Sequence, residues 1–179
     1  MTPNIYFSSW PSPVGVLTLY AHDAAITAIT YAQNNAAVLK SFGHANLVEQ
    51  PSESIRQAIV QLREYFADGR TSFDVCLAPR GTAFQKLVWS ELTRIPFGTT
   101  VSYQTLANRI ASAHACRAVG TANGKNPIAI MIPCHRVIAS NGHLAGFSGG
   151  LATKAKLIEI ERQTMAGFNV ATSAASLTL

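Results

Sequence analysis

The sequence predicts a chain in two parts, a sheet-and-helix N-terminal part followed by a mostly helical C-terminal part. Residues 4–10, 14–21 and 25–32 are short segments rich in β-branched and aromatic residues, and turn residues separate them. From Ser54 onward the apolar residues recur at helical spacing instead. We therefore expect an α/β domain over residues 1–80, including a linker, and a mostly α domain over residues 81–166.

The N-terminal part reads as an antiparallel meander followed by one long helix. Pro11-Ser12-Pro13 and His22-Asp23 supply the turns between strands, and residues 33–53 have too little period for more than a short helix and a loop. Ser54 is the predicted N-cap of the long helix, and Asp68-Gly69 its end. One helical face carries Ile55, Ile59, Leu62, Tyr65 and Phe66. In the linker that follows, Phe73–Leu77 is a candidate strand.

The C-terminal part carries a helix-turn-helix pattern. Thr82 can cap a helix that Pro96-Phe97-Gly98 stops. Two short helices then follow, Tyr103–Ile110 and about His114–Ala122, across a turn at Ala111–Ala113. A final helix is predicted over Lys154–Thr164. Residues 167–179 are small and polar, and we expect a mobile tail there.

The composition argues against a membrane protein, a secreted protein and a zinc protein. No apolar run approaches a membrane span, and the start of the chain lacks the pattern of a secretory signal. The three cysteines, Cys76, Cys116 and Cys134, form no paired framework, and no Cys/His cluster has zinc-ligand spacing. We expect no metal, no cofactor and no membrane partner. A reducing compartment fits, either the cytoplasm or, in a eukaryote, the nucleus.

Charge is distributed unevenly along the chain. Residues 1–80 hold five Lys/Arg and six Asp/Glu, whereas residues 81–179 hold nine Lys/Arg and three Asp/Glu. No acidic residue lies between Glu91 and Glu159. Such a stretch suits a polyanionic partner and favours nucleic acid, although a weakly charged domain can also lack acids by chance.

Cys134 and His135 stand side by side in the run Pro133-Cys134-His135-Arg136. A free thiol is mostly protonated at neutral pH and becomes a nucleophile when a base or a positive charge lies near it. Neighbouring side chains on a strand point to opposite faces, so we predict a strand-to-turn transition at Cys134 that lets the two meet, directly or through a water. A buried structural cysteine is the alternative.

Glu161 is the predicted partner of His135. It shares the apolar face of the final helix with Leu157 and Ile158, and a carboxylate on such a face is usually paired. Cys134, His135 and Glu161 then form a nucleophile, a base and an orienting group. This arrangement serves acyl transfer equally well, so the residues alone do not choose a reaction.

A wider pattern surrounds the cysteine and resembles the O6-alkylguanine-DNA alkyltransferases, also called methylated-DNA–protein-cysteine methyltransferases. The likeness covers residues 81–161. The matching motifs in chain order are Gly81-Thr82, Phe84-Gln85, Val88-Trp89, Ile95-Pro96, Gly98-Thr99, Ser102-Tyr103, Leu106-Ala107, Arg117-Ala118-Val119-Gly120, Ala122-Asn123, Asn126-Pro127, Pro133–Ile138 and Gly149-Gly150. The resemblance implies a ribonuclease H-like N-terminal domain and a winged-helix-like helix-turn-helix in the C-terminal domain.

The same resemblance implies direct reversal of DNA damage. The cysteine of the family attacks the alkyl carbon on guanine O6, and the thioether is not turned over, so each molecule acts once. The target base must leave the helix stack first. The implied partner is double-stranded DNA bearing O6-alkylguanine, bound by a monomer through the minor groove and largely without sequence preference. The resemblance leaves O4-alkylthymine open as a second substrate.

Further site residues follow from matching positions in the family. Arg117 would enter the stack in place of the flipped nucleotide. Tyr103 would crowd the target phosphate and give its hydroxyl to guanine N3, which makes it a catalytic candidate. Asn126 would tie the recognition helix to the cysteine turn. Backbone carbonyls of Cys134 and Val137 would read the exocyclic amine, and Ser148 would close the pocket.

Two positions depart from the family pattern. Phe147 stands where the family usually has Tyr, so its ring can wall the pocket but offers no hydroxyl to O6. Ala111 stands where Gly is common. Two other functions therefore stay open at this stage, a damage-sensing DNA-binding module with weak transfer and a cysteine hydrolase with a Cys-His-Glu triad.

Overall fold

The computed structural model describes residues 2–110 and 113–175. In chain order the elements are β1 (Asn4–Ser12), β2 (Gly15–His22), β3 (Ala25–Tyr31), α1 (Asn35–Phe42), β4 (Asn46–Glu49), α2 (Glu53–Ala67), α3 (Ala83–Leu92), β5 (Val101–Ser102), α4 (Tyr103–Arg109), α5 (Cys116–Gly124), β6 (Val137–Ile138) and α6 (Leu151–Ala175). Short 3₁₀ turns at Ala32–Asn34, Ala113–Ala115 and Cys134–Arg136 connect some of them. Ala111, which stands where the family commonly has Gly, lies outside the described residues.

The N-terminal sheet has the strand order β3-β2-β1-β4. The predicted meander of β1, β2 and β3 is confirmed, with both pairs antiparallel. The fourth strand is a correction, because β4 lies within the segment predicted as helix and loop and pairs in parallel with β1. The four residues Asn46–Glu49 show no alternation of apolar and polar residues that would have predicted a strand. Of the candidate strand Phe73–Leu77, only Leu77 forms a bridge, to Ile26.

Helix ends mostly follow their capping chemistry. The cap of α2 is Ser52, not Ser54 as predicted, because the Ser52 hydroxyl accepts the hydrogen bond from the Ile55 amide. Thr82 caps α3 as predicted and forms a reciprocal capping box with Gln85. The last helix starts at Leu151, three residues before the predicted start.

That last helix also continues past its predicted end at Thr164, and its backbone stays helical to Ala175. The segment after Thr164 contains several alanines, which favour helix, and no proline stops it. The proposed mobile tail over residues 167–179 is therefore mostly helical in backbone, and residues 176–179 lie outside the description.

One hydrophobic core joins the two domains. It combines residues of the sheet and α2, such as Leu17, Ile26 and Leu62, with Trp89 and Leu157 of the C-terminal helices. The edge strand β3 makes the decisive contact, because its Ile29 amide donates to Pro127 O (2.9 Å) and its carbonyl accepts from the Ala129 amide (3.0 Å). The backbone that leads to Cys134 is thus anchored on the N-terminal sheet.

Candidate active site

The cysteine lies at the end of a tightly turned segment. Ile130 has a φ of +71°, a left-handed conformation that a β-branched residue rarely adopts. Cys134 starts a single 3₁₀ turn that leads into β6, and its amide donates to Ile132 O at 2.8 Å. The predicted turn at Cys134 is present, but the predicted strand before it is not: turns precede Cys134, and a short strand follows at Val137–Ile138. Successive turns in the apolar run from Ile128 replace the expected extended chain.

Asn126 holds the thiol, directly after α5. Its Nδ2 donates to Cys134 Sγ at 3.1 Å and to Ile132 O at 2.8 Å, while its Oδ1 accepts from the Ile128 amide at 3.0 Å. Asn123 adds a longer contact from its Nδ2 to Cys134 O at 3.4 Å. Asn126 thus fixes the end of α5 to the turn that contains Cys134.

The electrostatic setting of the thiol contains opposing effects. Burial raises the pKa of Cys134, which is only 3% exposed. The Asn126 hydrogen bond and the positive charge of Lys154 lower that pKa. Burial dominates, so the resting state is the thiol and the site must remove its proton before the sulfur can attack.

His135 and Glu161 form the predicted pair, with His135 Nε2 2.7 Å from Glu161 Oε1. Burial lowers the pKa of His135, so the imidazole is neutral at pH 7. A carboxylate only accepts hydrogen bonds, so the hydrogen of the neutral ring lies on Nε2. Nδ1 then carries the lone pair, and no side chain or backbone group of the described residues donates to it. This nitrogen can take up a proton.

Glu161 is the hub of the site. Its oxygens accept from Tyr65 Oη at 2.8 Å, from the Gly98 amide at 3.0 Å and from the Arg136 guanidinium at 2.9 and 3.0 Å. Burial alone would raise the pKa of Glu161, but the hydrogen bonds from His135 and Arg136 and the charge of the Arg136 guanidinium lower it to about 2. The carboxylate therefore stays charged and keeps the His135 tautomer fixed.

Arg136 lies within the stretch without acidic residues that favours nucleic acid, and as an arginine there it is a candidate phosphate contact, which the structure corrects. Its side chain is buried, binds Glu161 and donates from Nη1 to Ile95 O at 2.6 Å. A guanidinium engaged in this way inside the protein is not available to DNA. It neutralises the buried carboxylate instead.

Lys154 is a site residue that the sequence analysis did not identify. It is fully buried, and its Nζ donates to Val137 O and to Ala145 O, both at 2.6 Å. Burial lowers the pKa of Lys154 to about 8. Lys154 lies at i−3 to Leu157 and at i−7 to Glu161, so the same helical period that singled out Glu161 could have found it.

The loop after β6 covers the cysteine. The Phe147 ring meets the His135 ring edge-on with centroids 6.5 Å apart. Ser148 is held from the N-terminal domain, because its carbonyl accepts from Asn34 Nδ2 at 2.7 Å. Tyr103 Oη donates to Ala145 O at 3.0 Å, and its ring lies 5.8 Å from Lys154 Nζ. Tyr103 and Val137 are therefore brought together at Lys154, Phe147 lies against His135, and Ser148 follows in the same loop.

Arg117 lies apart from this cluster. It is exposed on α5, and its side chain makes no hydrogen bond or ion pair with the rest of the described chain. The opposite face of α5 is buried through Val119, Ala122 and Asn123. Trp89 Nε1 donates to Ala122 O at 2.8 Å and ties this helix to α3. Arg117 is thus presented outward on a helix whose inner face leads to the thiol.

Among the residues that the structure describes, no group of three or more His, Cys, Asp or Glu side chains is placed to hold a metal ion. A search of the same residues finds no helix long and apolar enough to cross a membrane.

Two family models match the chain. The model described as 6-O-methylguanine DNA methyltransferase, ribonuclease-like domain, matches residues 5–79, and that described as 6-O-methylguanine DNA methyltransferase, DNA binding domain, matches residues 83–163. The chain belongs to the 6-O-methylguanine DNA methyltransferase family. The predicted fold, an α/β domain followed by a helical DNA-binding domain, is confirmed.

Relatives of this methyltransferase chain extend over nearly its whole length. The methylated-DNA–protein-cysteine methyltransferase of Methanosarcina acetivorans is 40% identical over 88% of this chain and 98% of that protein. The protein of the same name from Mycobacterium bovis is 41% identical, over 88% and 93%. The crystal structure of Mycobacterium tuberculosis OGT in complex with DNA matches with a TM-score of 0.79 at 40% identity, covering 89% of this chain and 94% of that one.

Proposed function

We propose that Cys134 accepts the alkyl group from O6-alkylguanine in duplex DNA and is consumed by a single reaction. The general activity, DNA repair by transfer of an alkyl group to a protein cysteine, follows from the family to which the chain belongs. One observation carries the assignment to Cys134. Its thiol is bonded by Asn126, next to a neutral imidazole whose Nε2 is fixed by Glu161 and whose Nδ1 is free to take a proton.

The chemistry begins with that proton. It moves from Cys134 Sγ to His135 Nδ1, directly or through one water, and leaves a thiolate beside an imidazolium that Glu161 stabilises. The sulfur then attacks the alkyl carbon as the carbon–oxygen bond breaks. The bonding electrons pass to guanine, whose N3 accepts a hydrogen bond from the Tyr103 hydroxyl. The proton that His135 took from the thiol then passes through water to the departing base, which restores the neutral imidazole. The product thioether has no leaving group that would regenerate the thiol.

DNA binding is assigned to the exposed side of α5. Arg117 points away from the fold and would fill the gap left by the flipped nucleotide, at a cost in unstacking of a few kcal/mol that binding must offset. The Val137 and Cys134 carbonyls, Phe147 and Ser148 would border the extruded base. A minor-groove contact reads bases poorly, so binding would be largely independent of sequence.

The working unit and its location are part of this proposal. The contacts described above for Cys134, His135 and Glu161 all come from one chain, which supports action as a monomer. The DNA partner places the protein where DNA is kept, in the cytoplasm of a prokaryote or the nucleus of a eukaryote.

Intact-mass measurement after incubation with O6-methylguanine duplex tests the acceptor. We expect a gain of one methyl group per chain that stops at one equivalent, because the thioether is not turned over. Cys134→Ala should abolish the gain, whereas Cys76→Ala and Cys116→Ala, at an exposed and a half-buried cysteine, should retain it. Product formation beyond one equivalent, or labelling that survives Cys134→Ala, would contradict the proposal.

The same measurement separates the two other candidate functions. A damage-sensing module would bind the duplex without a mass shift. A cysteine hydrolase would turn over a thioester substrate many times per chain.

A further inference from the structure

Tyr31 brings a polar group from the N-terminal domain to the cysteine. It is the last residue of β3, the strand whose backbone anchors the segment before Cys134. The residue is 3% exposed, and its hydroxyl finds no hydrogen-bond partner among the described residues. A buried hydroxyl without a partner is costly and unusual, so its position calls for a reason.

The ring of Tyr31 is held tightly beneath the loop that covers the site. It meets the Phe147 ring edge-on, with centroids 5.8 Å apart, and Phe147 meets His135 in the same way. A side chain at Gly149 would come within 2.7 Å of the Tyr31 ring, so the glycine allows this close approach. Packing therefore fixes the direction of the Tyr31 hydroxyl.

Electrostatic effects link the Tyr31 hydroxyl to two nearby groups. The negative charge of the Cys134 thiolate adds to burial in raising the pKa of Tyr31. Tyr31 in turn contributes to the raised pKa of Tyr65, whose hydroxyl binds Glu161. Burial and Glu161 are the larger causes for Tyr65, and the Tyr31 hydroxyl is close enough to both Tyr65 and the thiol to add to these effects. The ring contacts from Tyr31 through Phe147 to His135 place it on the same side of the site.

Two other buried side-chain atoms of the described residues also lack a partner, His135 Nδ1 and Asn123 Oδ1. Buried polar atoms that lack a protein partner are usually joined by an ordered water, which needs two to four polar neighbours. The Cys134 thiol, His135 Nδ1 and the Tyr31 hydroxyl supply one donor, one acceptor and one group that can be either. Such a set suits one water molecule.

We infer that Tyr31 is a positioning residue, whose hydroxyl holds a water between Cys134 Sγ and His135 Nδ1. The inference rests on the proposed function of Cys134. The thiol proton passes to this water as another proton of the water passes to Nδ1, which leaves a thiolate, an imidazolium and an unchanged water. The Tyr31 hydroxyl keeps its own proton and orients the water. The N-terminal domain then takes part in activating the nucleophile as well as in supporting the fold.

Tyr31→Phe tests this role, because it keeps the ring and removes only the hydroxyl. The first readout is the pH dependence of Cys134 alkylation by iodoacetamide in a protein whose other two cysteines are alanine. We expect this profile to move to higher pH. The second is the rate of transfer from free O6-benzylguanine at pH 7, which should fall by between about twofold and tenfold, the effect of one hydrogen bond. Tyr65, Glu161, Arg136 and Lys154 are unchanged in this variant.

Tyr20→Phe is the matched control. Tyr20 is an equally buried tyrosine of the same sheet, but it belongs to a separate cluster with Ile5, Ala28 and Phe42. This variant should keep both the profile and the rate. An unchanged profile for Tyr31→Phe would overturn the inference, even if the transfer rate fell, since the hydroxyl would then act on the substrate.

The two readouts separate this inference from the proposed function. If the wild-type protein gains no alkyl group from DNA, the proposed function fails, while the iodoacetamide profile still tests Tyr31. If the wild type transfers and both Tyr31→Phe readouts match it, only the positioning role fails.

Discussion

The Cys134 site and the exposed face of α5 belong to one domain but are organised in opposite ways. At the site every charged group is buried and has a partner: Glu161 alone accepts from Tyr65, Gly98, His135 and Arg136. On α5 the cation Arg117 is exposed, and its side chain makes no hydrogen bond or ion pair with the described residues. The groups around Cys134 are thus preorganised, whereas the exposed cation proposed for DNA recognition stays free for a partner that supplies the opposite charge.

Asn126 and Asn123 are the points where the two regions meet. They lie on or directly after α5 and bind the sulfur and the carbonyl of Cys134. The helix that we propose to contact DNA on one side is therefore rigidly connected to the proposed nucleophile on the other. The comparison indicates that substitutions inside the site should lower stability and slow transfer from every substrate. Substitutions on the outer face of α5 should slow only the reaction with duplex DNA.

The largest effect is expected from Glu161→Gln. Removing one partner of a buried ion pair leaves Arg136 uncompensated, at a cost of roughly 3–5 kcal/mol in the free energy of unfolding. Alkyl transfer should also fall for both duplex and free base, because the His135 tautomer is no longer fixed. Urea unfolding and single-turnover rates measure the two effects.

The acid dependence of the free energy of unfolding tests the role of Glu161 separately. The folded-state pKa of Glu161, about 2, lies below its ordinary value of 4.5, so the carboxylate stabilises the fold fully above pH 4.5 and loses this effect as the pH falls towards 2. In Glu161→Gln this part of the acid dependence should disappear. Glu159→Gln, at an exposed position of the same helix, should behave as wild type. Equal acid profiles for wild type and Glu161→Gln would contradict the central role of this carboxylate.

Arg117→Ala should have an intermediate effect that is confined to DNA. We expect duplex repair to slow by one to two orders of magnitude, on the order of 1.4 kcal/mol per tenfold, because the gap in the stack is no longer filled. Transfer from free O6-benzylguanine and the melting temperature should stay unchanged.

Arg162→Ala removes a comparable exposed cation from α6 and should leave both reactions intact. Equal losses of Arg117→Ala on duplex and free base would mean that Arg117 supports the site itself, and its separate role on DNA would have to be abandoned.

Phe147→Tyr should have the smallest effect and in the opposite direction. An added hydroxyl at the loop can support the leaving guanine with one hydrogen bond of roughly 0.5–1.5 kcal/mol, which is up to about tenfold in rate. Single-turnover kinetics on the duplex would show the gain. Phe7→Tyr, in the separate cluster of the N-terminal sheet, is the control. No gain for Phe147→Tyr would mean that another donor already serves O6.

The sequence predicted the elements that are determined by residues close together in the chain. The meander, α2 and the Thr82 cap of α3 follow from period, turn residues and capping residues. Glu161 was paired with His135 because it shares the apolar face of its helix and a buried carboxylate needs a partner. The short strand β4 was missed because it is fixed by pairing with β1, a contact distant in sequence. The turns before Cys134 were missed because the apolar run Ile128–Ile132 has the composition of a strand.

Contacts between the two domains also could not be predicted from local sequence patterns. Tyr65 was placed correctly on the buried face of α2, but its hydroxyl binds a carboxylate 96 positions later in the chain. Arg136 seemed a surface cation because most arginines are exposed. Only the fold places it against Glu161.

Salt dependence tests the separation of chemistry from recognition most directly, because it uses the unmodified protein. Transfer rates from O6-methylguanine duplex and from free O6-benzylguanine would be measured under subsaturating conditions between 50 and about 200 mM salt. Lys125, exposed at the C-terminal end of α5, is a candidate phosphate contact. The duplex rate should fall steeply, by about one power of the salt concentration for each phosphate that such exposed cations neutralise. The free-base rate should stay constant, because the charges of the site are buried and paired. A free-base rate that falls in parallel with the duplex rate, or a duplex rate that does not change, would contradict the separation.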